Sequence, residues 1–468
     1  DGMAYNKMNV LHLNPSNDQA FAMELNSYPG LVKHSAYPPF QNHSLSITDL
    51  KDLIDYGRNR GIRVYPELDT PGHMRAICDY FDDEETGENY KKLCMRCPGN
   101  SWDKDQLDRF NGWGPFNPSQ ESNYDILTNM FRELRQIFQD EYVHVGGDEV
   151  PNGCYFDNPD NYVPREEFLS WAEENDLKTK LQVQKWHLNR VYKIAEDFGF
   201  KSLVWNDGEG YKVGMDQLFR SFEPTSSSSV EKNLTNLSIL VDETSSGNMD
   251  ETTPGRPLEV TKKLTLSDTQ NTKPILQVWE PWGSDITNEW QPIMQQATKD
   301  GYPVILSSSW YLDLISYPAG GKKMDWTRFY QTDPRNFNGT DQQKDLVLGG
   351  EGAWWTEYID SSGILSRSFP RLSAIAERLW SDYEKTKDLE PAYLRINKLR
   401  CLMIKRGIPA EPGSVPSSCD CEFDVGYKKP WEFKEDLPSS AVSSIRFWNS
   451  SGLVGNTVNF VMKFFRKN

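Results

Sequence analysis

Basic residues are fewer than acidic ones in this chain of 468 residues, which has 51 Lys and Arg and 68 Asp and Glu. The resulting formal net charge of −17 disfavours binding to nucleic acids and to anionic membrane surfaces. The sequence also lacks any apolar run of about 18 residues, the length that a membrane-spanning helix requires. We therefore expect neither a nucleic acid nor a membrane as partner.

Motifs that bind metal ions are also scarce. The chain has only 6 His, which are scattered, and a single CxxC formed by Cys94 and Cys97. A zinc site usually requires a second such pair or paired histidines nearby. We predict no metal and no cofactor, and disulfides formed in an oxidising compartment fit the seven Cys better. Sequons weakly favour the same lysosomal or secreted location. They begin at Asn42, Asn233, Asn236, Asn338 and Asn449.

Short apolar runs bounded by turn signals recur along the chain, a pattern typical of buried strands in a parallel sheet. The runs are residues 8–13, 62–68, 142–147, 202–207, 275–279, 303–309 and 346–355. Amphipathic stretches between them predict helices, at residues 46–61 with Thr48 as N-cap, at 179–200 and at 370–384.

This alternation predicts an α/β fold, and we favour a (β/α)8 barrel over an open doubly wound sheet. A barrel requires eight strands, and seven are counted, so we expect the first strand to precede Asp1. Residues 1–421 are predicted to form the barrel, with a flexible insertion at about 222–273. Residues 422–468 are predicted to form a C-terminal tail that is packed on the surface or frayed.

Two adjacent carboxylates, Asp148 and Glu149, follow a predicted strand and the pair Gly146-Gly147. The carboxyl end of a barrel strand faces the active site, and glycines allow a tight bend there. Two close carboxylates push their pKa values apart, so that one can be an acid while the other stays ionised. Glycosidic cleavage uses such a division of roles.

The string HVGGDEV resembles the signature of the family 20 glycoside hydrolases, the β-N-acetylhexosaminidases. The resemblance covers about residues 3–421, with its motifs in the family's order. The other motifs are NVLHLNPSNDQAFAMEL, PELDTPGHMRA, LVWND, QVWEPWG, ILSSSWYLD, LGGEGAWWTEYID and RLSAIAERLWS.

The resemblance implies substrate-assisted retaining hydrolysis, in which the 2-acetamido oxygen of the sugar attacks the anomeric carbon and forms an oxazolinium. Glu149 would be the general acid and then the base, and Asp148 would hold the acetamido N–H and stabilise the developing positive charge. Tyr311 would donate its hydroxyl to the acetamido oxygen. His73 would lie behind Glu149 and tune its proton affinity.

By the same resemblance, three tryptophans would form the walls of the sugar pocket, namely Trp205, Trp279 and Trp355. Asp313 and Glu357 would accept hydrogen bonds from the C4 and C6 hydroxyls of the sugar.

The chain departs from the family pattern after the first predicted strand, where Asn14 and Asn17 replace a His and an Asp. In the family that Asp partners the histidine that corresponds to His73, so we expect a weakened proton relay. An Arg that grips the C3 and C4 hydroxyls would lie on the strand expected before Asp1.

The resemblance also implies two disulfides. One would join Cys154 to Cys94 or Cys97, and the other would join Cys401 to Cys419 or Cys421. Cys78 has no counterpart in the family pattern.

The leading hypothesis is an exo-glycosidase that releases terminal β-linked N-acetylglucosamine or N-acetylgalactosamine from glycans or chitooligosaccharides. A homodimer of the chain is part of this hypothesis. The alternative is a glycan-binding relative that has lost turnover. A chitinase-type glycosidase would require a DxxDxDxE strand, which the sequence does not contain.

Overall fold

A computed structural model describes most of the chain, and every structural statement below concerns its described residues. These are residues 1–35, 44–82, 93–95, 115–150, 154–156, 165–206, 273–280, 290–313, 325–356, 359–413, 418–419 and 459–465. None of the helices within these ranges is both long enough and apolar enough to cross a bilayer. The predicted insertion lies outside them, apart from Lys273.

One eight-stranded sheet organises the molecule, in the order β4-β1-β10-β9-β8-β7-β6-β5. Its strands are β1 Val10–Asn14, β4 Arg63–Pro66, β5 Tyr142–His144, β6 Lys201–Trp205, β7 Ile275–Val278, β8 Val304–Leu306, β9 Val347–Trp354 and β10 Asn459–Phe465. A small hairpin of β2 Ser16–Asn17 and β3 Ala20–Phe21 follows β1.

The seven strands predicted from apolar runs are all present, and their mutual pairings are parallel. Each is shorter than the run that predicted it. The two outermost strands of the order, β4 and β5, meet through a parallel bridge between Glu67 and His144. The backbone N–H of Leu68 also donates to the carbonyl of His144 at 2.9 Å. The sheet therefore curls round on itself as a barrel.

The eighth strand comes from the C-terminal region. β10 pairs antiparallel with β1 on one side and with β9 on the other. Its register places Val461 opposite His12 of β1 and Ala353 of β9. The prediction that this tail packs on the surface or frays is therefore wrong for Asn459–Phe465, because both edges of that segment are hydrogen-bonded within the sheet. The sequence of β10 is a short apolar run, and such a run does not indicate which strands it pairs with.

Helices follow most of the strands. They are α1 Gly2–Tyr5, α2 Leu31–Ser35, α3 Ile47–Arg58, α4 Arg75–Asp82, α5 Glu121–Ile137, α6 Arg165–Glu174, α7 Lys180–Asp197, α8 Gln291–Lys299, α9 Asp325–Gln331, α10 Asp341–Asp345, α11 Ile364–Ser368, α12 Arg371–Trp380, α13 Tyr383–Thr386 and α14 Leu389–Lys405.

The three predicted helices are confirmed as α3, α7 and α12. The N-cap predicted for the first of them was wrong. Ser46, not Thr48, caps α3, and it forms a capping box with Asp49. Ser46 supplies the hydroxyl in extended backbone, which is what an N-cap requires, and Thr48 already lies inside the first turn.

The interior of the barrel is filled by a layer of apolar side chains, one from each of five strands. They are Val10, Tyr65, Leu203, Ile275 and Ile305. The layer supports the polar residues that lie closer to the carboxyl ends of the strands.

Two disulfides are seen between described cysteines, Cys78–Cys94 and Cys401–Cys419. The second is one of the two alternatives implied for Cys401. The pairing of Cys154 with Cys94 was wrong, because Cys94 is bonded to Cys78, the residue without a family counterpart. Cys154 is also disulfide-bonded, to a partner outside the described residues.

Candidate functional site

Several of the side chains predicted to form the site lie near the carboxyl ends of the barrel strands. β5 leads through Gly146 and Gly147 to Asp148 and Glu149. The loop after β4 carries Asp69 and His73. Because parallel strands of a barrel present their carboxyl ends on one face, these two loops lie side by side.

Gly146 is required by the geometry of this turn. Its φ is +72°, in the left-handed region, and a Cβ built on it would collide with the carboxylate of Asp69. Glycine alone combines that conformation with so close an approach. The approach allows Oδ1 of Asp69 to accept a hydrogen bond from the backbone N–H of Gly147 at 3.1 Å.

The two adjacent carboxylates have different surroundings. Asp148 is 6% exposed, whereas the side chain of Glu149 is 59% exposed. Burial, together with the charge of Asp69, raises the pKa of Asp148 well above its usual value. The hydrogen bond from His73 lowers the pKa of Glu149. In the free protein the pKa values of the two acids are therefore shifted in opposite directions, upward for Asp148 and downward for Glu149.

His73 lies between two carboxylates. Its Nδ1 is 2.6 Å from Oδ2 of Asp69, and its Nε2 is 3.3 Å from Oε2 of Glu149. Burial lowers the pKa of His73, but the charge and hydrogen bond of Asp69 outweigh burial and hold that pKa well above its usual value. The raised pKa favours the imidazolium form of His73, in which each ring nitrogen donates to the carboxylate beside it.

The weakened relay expected from Asn17 stays a prediction, and within the described residues the imidazole has a carboxylate partner in its own motif. Asp69 is buried and precedes His73 by four residues in the segment Asp-Thr-Pro-Gly-His. Reasoning from the sequence missed Asp69 as a site residue. The available signal was an acid and a histidine in one short loop that follows a strand.

Aromatic side chains form one wall of the candidate site, close to Asp148 and Glu149, whose charges act on the Tyr311 hydroxyl. They pack as one cluster made of Trp205, Trp279, Tyr311, Trp355 and Ala353. The ring centroids of Trp205 and Trp355 are 6.2 Å apart, and those of Trp279 and Tyr311 are 6.4 Å apart. Such a wall suits the apolar face of a sugar or its N-acetyl group.

Tyr311 belongs to both the wall and the polar site. Burial raises the pKa of its hydroxyl well above 10, and the charges of Asp313 and Asp148 raise it further. The hydroxyl therefore stays protonated and acts as a donor. Asp313 lies two residues further on and is half-buried. Glu357, also predicted as a site residue, lies outside the described residues.

A buried polar layer lies beneath the pocket and was not predicted. Its members come from five strands or strand ends, and they are His12, Glu67, His144, Gln277 and Glu351. Oε2 of Glu67 is 2.9 Å from Nε2 of His12, and Oε1 is 3.1 Å from Nδ1 of His144. Reasoning from the sequence assigned these residues only to strands, where a polar residue between apolar ones was the available signal.

Two groups of described residues have donor atoms close enough together to hold a metal ion, namely His12, Glu67 and His144, and Asp69, His73 and Asp148. In the first group protein donors already engage the ligand atoms. Trp205 Nε1–H donates to Glu67 Oε1, and the backbone N–H of Gly146 donates to His144 Nδ1. The absence of a metal cofactor stays a prediction.

Comparison with known proteins identifies the family of the chain. The profile of "Glycosyl hydrolase family 20, catalytic domain" matches residues 1–236 and 252–383, most of the chain. The chain belongs to glycosyl hydrolase family 20. The beta subunit of beta-hexosaminidase from Homo sapiens is 31% identical over 413 residues, which are 88% of this family 20 chain. The match covers 58% of the human protein, so the chain spans less than two thirds of that relative.

Solved structures support the fold of the family 20 chain. A Flavobacterium johnsoniae chitobiase matches with a TM-score of 0.56 and 23% identity, over 87% of this chain and 50% of that one. A Vibrio harveyi exo beta-N-acetylglucosaminidase, in complex with N-acetylglucosamine, matches with a TM-score of 0.55 and 19% identity. It covers 87% of this chain and 55% of its own.

Proposed function

We propose that this chain hydrolyses terminal, non-reducing β-linked N-acetylglucosamine or N-acetylgalactosamine, with retention of configuration and through an oxazolinium intermediate. The observation that carries the proposal is the pairing of a buried Asp148 with an exposed Glu149 that contacts the His73 imidazolium. The two acids differ in burial and lie beside an aromatic wall. Membership of family 20 and the sugar bound to the Vibrio relative support the same substrate class.

In the first step the acetamido oxygen of the substrate forms a bond to C1, and the bond from C1 to the leaving oxygen breaks. Glu149 gives a proton to that oxygen. In the free protein the proton shared by the pair resides on His73. A bound sugar covers the exposed Glu149, and desolvation favours the neutral acid, so the proton moves across the 3.3 Å contact.

In the second step Glu149 is ionised and acts as the base. It accepts a proton from water, the water oxygen bonds to C1 on the face that the leaving group occupied, and the oxazolinium ring opens. The net configuration at C1 is retained because it is inverted twice. The open side of Glu149, 59% exposed, is where water reaches it after the leaving group departs.

Asp148 and Tyr311 hold the acetamido group from two sides. Asp148 accepts a hydrogen bond from the acetamido N–H, and the positive charge that develops there favours its ionised form despite burial. Tyr311 stays protonated and donates to the acetamido oxygen. Trp205, Trp279 and Trp355 exclude water around the group that acts as nucleophile.

We also propose that Asp313 and Glu357 bind the C4 and C6 hydroxyls of the sugar. A lysosomal or secreted location suits the disulfides and sequons, and chitooligosaccharides and N-acetylhexosamine glycans are the proposed substrates. A homodimer stays part of the proposal.

The test is hydrolysis of a chromogenic β-N-acetylglucosaminide by the chain, beside the variant Glu149→Gln. The matched control is Glu174→Gln, at an exposed carboxylate at the end of α6. We expect turnover by the parent and the control, and a loss of at least about a hundredfold in Glu149→Gln.

Addition of azide separates a lost acid and base from a damaged fold. Azide replaces water as the nucleophile and restores product formation in a variant that lacks only the base, when the leaving group is an activated phenol. A folded parent chain that binds N-acetylglucosamine without hydrolysing the glycoside would instead establish the glycan-binding alternative.

A further inference from the structure

Glu67 lies directly behind the aromatic wall of the proposed site. It follows β4 and is fully buried in the barrel. Its Oε1 accepts a hydrogen bond from Nε1–H of Trp205 at 2.6 Å. Trp205 ends β6 and packs against Trp355 on its other side. The indole is therefore bonded at its back edge while its face contributes to the pocket.

The same carboxylate contacts two imidazoles. His12 Nε2 is 2.9 Å from Oε2 of Glu67, and His144 Nδ1 is 3.1 Å from Oε1. His144 Nδ1 is also 3.1 Å from the backbone N–H of Gly146, the first residue of the turn that leads to Asp148. A ring nitrogen carries either a proton or a lone pair, so at any moment it engages either Glu67 or Gly146.

The contacts of His12 extend the layer across the barrel. Its Nδ1 lies 3.5 Å from Oε1 of Glu351, which also accepts a hydrogen bond from Nε2 of Gln277 at 2.5 Å. Glu67 thus lies in a chain of polar contacts that begins at β9 and ends at the catalytic turn after β5.

A leucine of similar volume would fill the same space without the cost of burying a charge. A carboxylate in that position has one property that leucine lacks, namely fixed directions for hydrogen bonds. One of those directions leads to the pocket wall, through the indole of Trp205.

We propose that Glu67 is a positioning residue of the sugar pocket, which sets the place of the Trp205 indole and thereby the size of the N-acyl group that the pocket accepts. This inference rests on the proposed function and deepens it, because it concerns the same site. Glu67 does not touch the substrate. It acts through Trp205, and its removal allows the indole to move and the acyl pocket to widen.

The experiment compares aryl β-glucosaminides that carry N-acetyl and N-propionyl groups. We expect Glu67→Leu to lower kcat/KM for the N-acetyl substrate by about tenfold, the typical effect of losing a hydrogen bond to a charged group. The N-propionyl substrate loses less, so the ratio of the two kcat/KM values falls. Glu67→Gln retains an oxygen acceptor for Trp205 and keeps that ratio close to the parent value.

Glu133→Gln is the matched control for the burial of a carboxylate. Glu133 is 5% exposed and accepts hydrogen bonds from the backbone N–H groups of Asn26 and Ser27, away from Trp205. Its substitution lowers the melting temperature and leaves the N-acyl ratio unchanged. In a Trp205→Phe background, Glu67→Leu leaves the ratio where Trp205→Phe alone puts it, because the donor through which it acts is gone.

A folded Glu67→Leu protein with the parent N-acyl ratio would overturn the inference. Glu67→Met serves the same comparison if the leucine variant does not fold. If the parent chain shows no hydrolysis at all, the proposed function fails separately. The dissociation constants of N-acetyl- and N-propionylglucosamine, measured by calorimetry, then provide the ratio for each variant.

Discussion

Asp69, which is buried, and His73, whose side chain is 19% exposed, form a pair within a single loop, in which Oδ2 of Asp69 lies 2.6 Å from Nδ1 of His73. The chain has an asparagine at position 17, and Asp69 is the carboxylate that contacts Nδ1 of this imidazole. The other oxygen of Asp69 accepts from Gly147, so one carboxylate orients both the imidazolium and the turn that carries Asp148 and Glu149.

Replacement of Asp69 by Asn should move the pH dependence of hydrolysis. Asp69 raises the pKa of His73, so its neutral replacement lets the shared proton leave at a lower pH. The alkaline limb of the kcat/KM profile moves toward acid, and kcat/KM at its optimum falls by about tenfold or more. The profile is measured from pH 4 to 9 with the chromogenic substrate, a range spanning the ordinary values of Glu and His.

Asp140→Asn is the control for that shift. Asp140 pairs with Arg63 at the opposite end of the barrel strands, where Nε of Arg63 lies 2.7 Å from its Oδ2. Its loss lowers stability and leaves both limbs in place. An alkaline limb that stays fixed in Asp69→Asn would show that another group sets it.

Asp148→Asn should stabilise the fold while abolishing turnover. Burial raises the pKa of Asp148, so above the unfolded value near 3.8 folding requires proton uptake or burial of a charge. The stability contribution of Asp148 is therefore lost as pH rises through its folded pKa, and an amide has no such loss. We expect a melting temperature about 2 °C or more above the parent at pH 7, and no difference at pH 3.

Thermal unfolding is measured for the parent, for Asp148→Asn and for the control Asp341→Asn. Asp341 is an exposed carboxylate in the first turn of α10. The control leaves the pH 7 melting temperature unchanged or lowers it slightly. A lower melting temperature for Asp148→Asn at pH 7 would contradict the assignment of a destabilising buried acid.

Gly146→Ala tests how closely Asp69 and the turn that carries Asp148 and Glu149 must approach. The new methyl group would collide with the Asp69 carboxylate, so the turn shifts and kcat falls by about a hundredfold. Gly199→Ala is a matched control, because Gly199 has a similar φ of +77° and open space around its Cβ position. It carries only the strain of the left-handed conformation, about 1 kcal/mol.

Both glycine variants are compared by kcat and by urea unfolding. Equal losses of kcat would show that conformational strain, rather than the approach of Asp69, explains the glycine at position 146.

Removal of residues 459–468 should open the barrel. β10 provides hydrogen bonds to β1 and β9 together, so its loss leaves two unpaired strand edges. We expect a lower melting temperature and faster cleavage by trypsin. A chain shortened by residues 466–468 alone keeps β10 and serves as the control. Identical unfolding of the two shortened chains would be inconsistent with β10 as a barrel strand.

The parallel strands were predictable because most of their residues are buried, so that each strand reads as a nearly continuous apolar run. The positions of Asp148 and Glu149 were predictable for a related reason, since two acids after a strand and two glycines have few roles in a barrel. β10 was not predictable. Its place depends on which edges lie open after the other strands have assembled, and neither composition nor periodicity encodes that.

The partner of His73 and the layer around Glu67 show the same limit. The sequence contains Asp69 and Glu67 in one segment, but only the positions of neighbouring strands decide that one contacts an imidazole in its own loop while the other contacts Trp205. The resemblance to a family directed attention to position 17, where the expected acid is missing. Only distances in three dimensions show that Asp69 contacts His73.

β10 also has a consequence for synthesis of the protein. Of the described strands it is the last to leave the ribosome, and it separates two neighbours, β1 and β9, that emerge long before it. A nascent chain therefore retains two open edges until residues 459–465 are free of the exit tunnel, and chaperones have that interval in which to bind. The sheet therefore reaches its complete pairing only after residues 459–465 have been synthesised, whatever the order in which the earlier strands assemble.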